Sequence, residues 1–320
     1  MLTGLVTDIG RRLADRWAAT MVMPGLVFTT VAAVALTLRQ SHWSDVRMLR
    51  SELATLTAAG SGSTRTAVLL LVVLAASFAA ALLAEGLAGA YEQLLLGRWP
   101  VPLRRSAAAL TERRRRAWRE RDDACRRARL ELERAADAAD AAGGDAGTAE
   151  GRVRVAELAS RLGELEARRN ELALSPPQCP TWIGDRLSSP TDRVRRDYRL
   201  ELADAWPRLW LLLPDTTRQP LTESRQRLDE AMRLGGWAAL YLLLGAVWWP
   251  SVVAGAGAAL VAWRRGRDRA EEYAELVESA VDVHVQELFE RFDEEVRPIR
   301  PSLGPAVTER FRKGAGPRRP

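Results

Sequence analysis

Side chains able to do chemistry are few in this 320-residue chain, and they are scattered. It has two histidines, His42 and His284, and two cysteines, Cys125 and Cys179, with no Cys-x-x-Cys spacing. A metal centre needs three or four His, Cys or carboxylate ligands in one place. The topology argued below puts the two histidines on opposite sides of a membrane, so no metal site is expected, and the cysteines read as separate reduced thiols. No GxxxxGK[ST], GxSxG or HExxH pattern occurs, and the glycines at 143–147 precede no strand, which excludes a phosphate cradle of the usual kind. Asp122-Asp123 and Glu294-Glu295 are adjacent acids on expected helices, where neighbouring side chains point apart and so cannot work as an acid/base pair. No catalytic, cofactor-binding or metal-binding residue is assigned, and the chain is expected not to be an enzyme.

The charges are 47 basic against 41 acidic, a formal net of +6, with a pI near 10.1. All the basic residues but Lys313 are arginine, while Ile and Asn are rare. That skew is what a GC-rich genome writes wherever chemistry leaves a choice, so abundant arginine alone does not indicate a nucleic-acid partner, and the signatures of a nucleic-acid module are missing. The apolar residues are bunched into a few uncharged runs, which separates a membrane part from a polar part.

Residues 17–38 carry no charge over 22 positions, enough for a helix to cross the roughly 30 Å hydrocarbon core. A cleaved signal is the competing reading, but the run is longer than a signal core and further apolar segments follow. Residues 66–84 form a second span, which ends at Glu85 and continues as an amphipathic stretch to Trp99-Pro100. The uncharged run 234–263 is long for one helix and short for two. Trp248-Trp249-Pro250 at its middle favours a thin hairpin over a single kinked helix, because proline ends the preceding helix and paired Trp prefer the headgroup zone.

Arginines close to the spans set the orientation. Arg11, Arg12 and Arg16 precede the first span, seven arginines lie within 98–116, Arg225, Arg227 and Arg233 precede the third, and four follow the fourth. The outer loop 39–65 is poorer in them. Both termini are therefore expected in the cytoplasm of a bacterium, with the chain in the plasma membrane. Trp17, Trp99, Trp237 and Trp263 then fall at the inner interface, and Trp43, Trp248 and Trp249 at the outer one. The expected architecture is all-α: a first transmembrane hairpin (1–99), a cytoplasmic coiled-coil-like hairpin (100–174), a juxtamembrane region (175–233), a second short transmembrane hairpin (234–263), an acidic helix (264–296) and a disordered Pro-rich tail (297–320).

In the cytoplasmic hairpin, Leu110, Ala117, Ala124, Ala128, Leu132, Ala135, Ala139 and Ala142 mark one seam. Val155, Leu158, Leu162, Leu165 and Leu172 mark the other, with Arg169 interrupting. Arg113, Arg114, Arg115, Arg116 and Arg119 form a basic patch whose bland reading is a solvated face. Trp206 and Trp210 lie in a short apolar segment, 206–213, which suits either the headgroup layer or a core packed on the hairpin. Thr222 reads as an N-cap of the helix leading into the third span.

Pro180, Thr181 and Gly184, then Tyr198, then Trp206, Pro207, Arg208 and Leu209, lie directly ahead of the short Trp-Pro hairpin. This pattern resembles a family of uncharacterised, mostly actinobacterial multi-pass membrane proteins with Pro-Thr-x-Leu-Gly-Asn, Tyr-Gly-x-Asp and Trp-Pro-Arg-Leu motifs. The likeness covers about 180–290. Ile183 and Asp185 replace the family's Leu and Asn, and Arg199 and Glu201 replace its Gly and Asp. The resemblance implies a membrane topology and brings no catalytic residue.

The function expected from these features is a membrane-anchored scaffold or adaptor that presents cytoplasmic helices to a protein partner or to another copy of itself. A self-assembling pore or membrane-perturbing effector is the alternative, and an enzyme the remote third. Glu85 is the only candidate for a charge inside a span and is expected to reach the headgroups, while Gly255 and Gly257 suit close helix packing. The expected partners are the bilayer, anionic lipids among them, and a cytoplasmic protein. Residues 104–129 carry a net charge of +7 and 270–296 one of −9. The acidic helix, with Ala270, Ala274, Val277, Val281, His284 and Leu288 on its seam, is therefore expected to dock on the first helix of the cytoplasmic hairpin.

Overall fold

The structure is a computed structural model that describes residues 22–40, 63–141 and 145–292. Trp17, His42, Trp43, Gly143-Gly144, Glu294-Glu295 and the tail 297–320 lie outside the described residues. The described chain is helical throughout, with no strand. Its helices are α1 (Met23–Leu38), α2 (Ser63–Leu95), α3 (Arg104–Ala141), α4 (Asp145–Asn170), α5 (Trp182–Tyr198), α6 (Leu202–Leu212), α7 (Asp215–Leu244) and α8 (Pro250–Phe292). They divide into two compact units. One comprises the described residues up to Glu92 together with 227–266, and the other comprises 93–226 together with those from Arg267 on.

The first unit gathers the uncharged runs. α1 has Pro24 in its first turn, where the missing N–H leaves no bond unmade. The Thr29, Thr30 and Thr37 hydroxyls donate to carbonyls one turn back, so these polar groups need no water. Packing relies on small residues. A Cβ on Gly25 would lie 2.5 Å from the Ser77 carbonyl oxygen, one on Gly236 would collide with the Ala84 carbonyl, and one on Gly255 would lie 2.8 Å from the Leu242 nitrogen. Ala80, Ala81, Ala84 and Ala88 complete the α2 face, all buried. Toward the start of the helix, Val68 through Leu74 make about two turns that are exposed on every side. Thr66–Leu95 is the one helix among the described residues long and apolar enough to cross a bilayer, and only 22% of its most apolar window is buried. The 16 described residues of α1 are apolar but extend only about 24 Å, less than a hydrocarbon core.

Residues 245–249 turn the chain between α7 and α8, in place of a continuous kinked helix. Gly255 explains the tightness, since it brings α8 against the backbone of Ala238 and Leu242 on α7. Gln40, just after α1, clips the turn. Its amide N–H donates to the Gly245 carbonyl at 3.0 Å, and its carbonyl accepts from the Trp249 N–H at 3.1 Å. Glu85 pairs with Arg233 of α7 at 3.2 Å, and both side chains are 40% exposed.

In the second unit α3 and α4 form the expected hairpin, α3 ending at Ala141 and α4 starting at Asp145. The α4 seam is as expected, while that of α3 is rotated at its start. Leu110 is exposed, and Thr111, Trp118, Asp122, Cys125 and Ala128 face inward. The reason is polar: Trp118 donates its indole N–H to the Ala173 carbonyl, and Asp122 meets the Arg169 that interrupts the facing seam at 2.9 Å. The larger core joins α5, α6, the start of α7 and the polar end of α8, through Val194, Leu209, Leu213, Leu221, Val281 and Phe289 among others. α7 begins at Asp215, not beside Thr222. Pro214 supplies the capping carbonyl to Thr217 and Arg218, and the Thr222 hydroxyl donates to the Arg218 carbonyl inside the helix.

Candidate functional site

Two constellations in the second unit bring polar side chains together around α5. The first is the start of α5. Thr181 is its N-cap, accepting from the Gly184 N–H at 3.0 Å, and its hydroxyl donates to the Leu95 carbonyl at the end of α2. Gly184 has no room for a side chain, since a Cβ would lie 2.9 Å from the same carbonyl oxygen. Asp185 accepts from the Gln178 and Cys179 N–H groups, both at 2.7 Å, and pairs with Arg114 of α3. Arg114 also donates to the carbonyls of Cys179, Thr181 and Leu172, and Arg115 to that of Pro177. One guanidinium thus ties together the loop that three prolines and a helix end leave rich in unpaired carbonyls.

The second constellation is a ladder between α5 and α8. Arg186, whose side chain is 5% exposed, donates to Glu271 at 2.9 Å, Glu278 at 2.6 Å and Ser189 at 2.5 Å. Glu278 also accepts from Ser189 at 2.8 Å and Arg193 at 3.3 Å. Arg193 continues to Asp282 at 2.8 Å, and the Tyr198 hydroxyl donates to Asp282 at 3.2 Å. Burial alone would raise the Glu278 carboxyl, but its bonds to Arg186 and Ser189 prevail and hold it below the usual carboxylate range. The same balance holds Asp122 low through Arg126 and Arg169. Burial, then Asp282, pushes the Tyr198 hydroxyl up. Burial, then Asp185, likewise raises the Cys179 thiol, which leaves it protonated and a poor nucleophile.

The expected docking of the acidic helix needs correction in its partner. Its seam is buried as read, from Ala270 to Leu288, with His284 inside it and no histidine Nδ1 hydrogen bond, Glu287 lying 3.4 Å away. Its charges, however, meet Arg186 and Arg193 of α5 and not the α3 arginines. Those are otherwise engaged: Arg114 and Arg115 hold the 172–181 loop, and Arg116 and Arg119 share Glu112. The basic patch is thus divided, with Arg113, Arg116 and Arg119 outward.

Glu271, Glu278 and Asp282 belong to the acidic helix whose charge was read from the sequence, but Arg186 and Arg193 as their partners escaped that reading. Their signal was spacing, since both Arg186/Arg193 and Glu271/Glu278 are seven apart and repeat on one helix face. Tyr198, Leu209 and Trp206 of the motif region all touch the α8 core, and Arg208 donates to the Asp204 carbonyl. In the 206–213 segment the core alternative accounts for Leu209 and Leu213, packed against α8 rather than the hairpin, with Trp206 and Trp210 half-buried beside them. Trp182 stacks under Arg267 at 4.3 Å. In the first unit Trp237 packs on Phe28, while Trp249 and Trp263 are exposed. Trp99 donates its indole N–H to the Leu94 carbonyl. Among the described residues no group of three His, Cys, Asp or Glu is placed to hold a metal.

No family model, curated protein or solved structure matches the chain.

Proposed function

We propose that the chain is a membrane-anchored scaffold, with the first unit in the bacterial plasma membrane as two helical hairpins and the α3–α4 hairpin offered in the cytoplasm to a protein partner. The observation that carries the reading is the contrast between an apolar helix exposed along Val68–Leu74 and a charged hairpin built on ion pairs such as Asp122–Arg169. Exposed Val and Leu in such numbers suit lipid and not water. Gln40 at the end of α1 meets the α7–α8 turn, which supports both lying at one, outer, face with the termini inside. The polar side chains of the first unit face one another, Thr29 with Ser77 and Glu85 with Arg233, which favours a packed anchor over a conducting pore.

Photo-crosslinking tests this. An unnatural photoreactive residue at Leu130 or Val153, both exposed apolar positions on the hairpin, should give a discrete adduct in native membranes. Absence of an adduct at every hairpin position, together with ion conductance of the pure protein in liposomes, would overturn the scaffold in favour of the pore.

A further inference from the structure

We propose that Arg98, Arg104 and Arg105, with Val101 and Leu103, form a binding site for anionic phospholipid headgroups where the chain leaves the apolar helix. The proposal rests on the membrane-anchored reading and adds a ligand to it. α2 ends at Leu95, and the next eight residues are fixed by bonds of their own. Gly97 has φ 78°, a left-handed conformation that glycine adopts without strain, and a Cβ there would lie 2.9 Å from Pro180 Cδ. The Arg98 N–H donates to the Gln93 carbonyl at 2.8 Å, the Trp99 indole to that of Leu94 at 2.9 Å, and the Leu103 N–H to that of Pro100 at 2.9 Å. Thr181 fastens the same loop to α5 through the Leu95 carbonyl. The Pro-Thr-x-x-Gly motif therefore has a task beyond capping a helix, which is to hold this exit loop in one shape.

On that shape two apolar side chains stand in the open, Val101 at 72% and Leu103 at 42% exposure. Beside them Arg98, Arg104 and Arg105 are exposed, and among the described residues their guanidiniums have no carboxylate or carbonyl partner. Further along α3, Arg114 and Arg115 are by contrast committed within the protein. Unpaired guanidiniums bind phosphate through paired N–H groups, and apolar side chains among them enter the acyl boundary, the pattern of an interfacial anchor. A phospholipid is favoured over a free phosphate because the site follows Thr66–Leu95 in the chain without a break, at the depth where that helix would leave the bilayer.

The test uses the full-length protein in micelles of phosphatidylcholine and phosphatidylglycerol, with native mass spectrometry counting the lipids retained. Near an anionic surface each arginine is worth about a fivefold preference, so R98Q/R104Q/R105Q should cut the phosphatidylglycerol to phosphatidylcholine ratio about a hundredfold, and R105Q alone about fivefold. R113Q/R116Q/R119Q, which removes as much charge from α3, should leave the ratio within about twofold. An unchanged ratio in the triple variant overturns the site. An equal fall in both triple variants also overturns it, by reducing the preference to net charge. Carbonate extraction of the cell membranes from which the protein is purified reports anchoring separately, so a protein that washes off refutes the anchor and not the lipid site.

Discussion

Replacing Arg186 with Met removes the centre of the α5–α8 ladder while keeping most of the volume. The guanidinium is almost wholly buried and serves Glu271, Glu278 and Ser189 together. Glu278, 15% exposed, would keep only the Ser189 hydroxyl at 2.8 Å and Arg193 at 3.3 Å. Breaking a buried pair from one side costs about 3–5 kcal/mol, and the remaining Arg193 contact places R186M at the lower end, about 3 kcal/mol. For a domain of this order that is about 6–12 °C in Tm. Replacing both partners with apolar residues removes the stranded charge as well, so R186M/E278M should recover to within about 1 kcal/mol of the parent, about 2 kcal/mol more stable than R186M. Thermal unfolding of the full-length protein in detergent, followed by far-ultraviolet circular dichroism, reads all four corners. A single variant within about 1 kcal/mol of the parent, or a double variant no better than the single, would refute the reasoning.

Further expectations concern acid, packing and the hairpin. Glu278 is held below its ordinary value of 4.5, so its stabilising effect is complete above that value and is lost as pH falls through the lower folded one. Acid titration of Tm should therefore fall less steeply below about pH 4.5 in E278Q than in the parent, and identical slopes would contradict the ladder. Gly255→Leu places a side chain against the Leu242 backbone and should destabilise the first unit by about 1–3 kcal/mol or splay α7 from α8. Disulfide trapping between cysteines placed on the two helices measures that separation, and unchanged trapping counts against the close approach. Asp122→Leu leaves Arg169, 21% exposed, without its carboxylate in the seam of the α3–α4 hairpin, and proteolysis of that hairpin should rise severalfold. D122L/R169L should restore resistance, and a double variant cut as fast as D122L would argue against the pair.

The register of α8 was legible in the sequence because burial follows period: Ala270, Ala274, Val277, Val281, His284 and Leu288 face inward as their spacing requires. Its partner was not, because net charge sums whole helices while pairing depends on register and on competing acceptors. The α3 arginines faced a loop of carbonyls at 172–181, which carry no formal charge and so do not enter a charge count. The less numerous Arg186 and Arg193 carried the matching heptad step. The start of the α3 seam was misread for a related reason, since Trp118 and Asp122 are drawn inward by a carbonyl and an arginine that lie far along the chain. Thr181 and Gly184 were visible as a motif, but their contact with Leu95 was not, being a link across 86 residues. The tight α7–α8 turn was legible from Trp248-Trp249-Pro250 alone, because proline leaves few alternatives there.

Paired cysteine accessibility tests the membrane reading most directly. In a variant lacking Cys125 and Cys179, Ala246→Cys in the α7–α8 turn and Ala138→Cys on the α3–α4 hairpin are both exposed in the structure. An impermeant thiol reagent on intact cells should modify position 246 and spare 138 until the cells are opened. Labelling of 138 in intact cells, or of neither position before and both after lysis, would contradict a membrane anchor with a cytoplasmic hairpin.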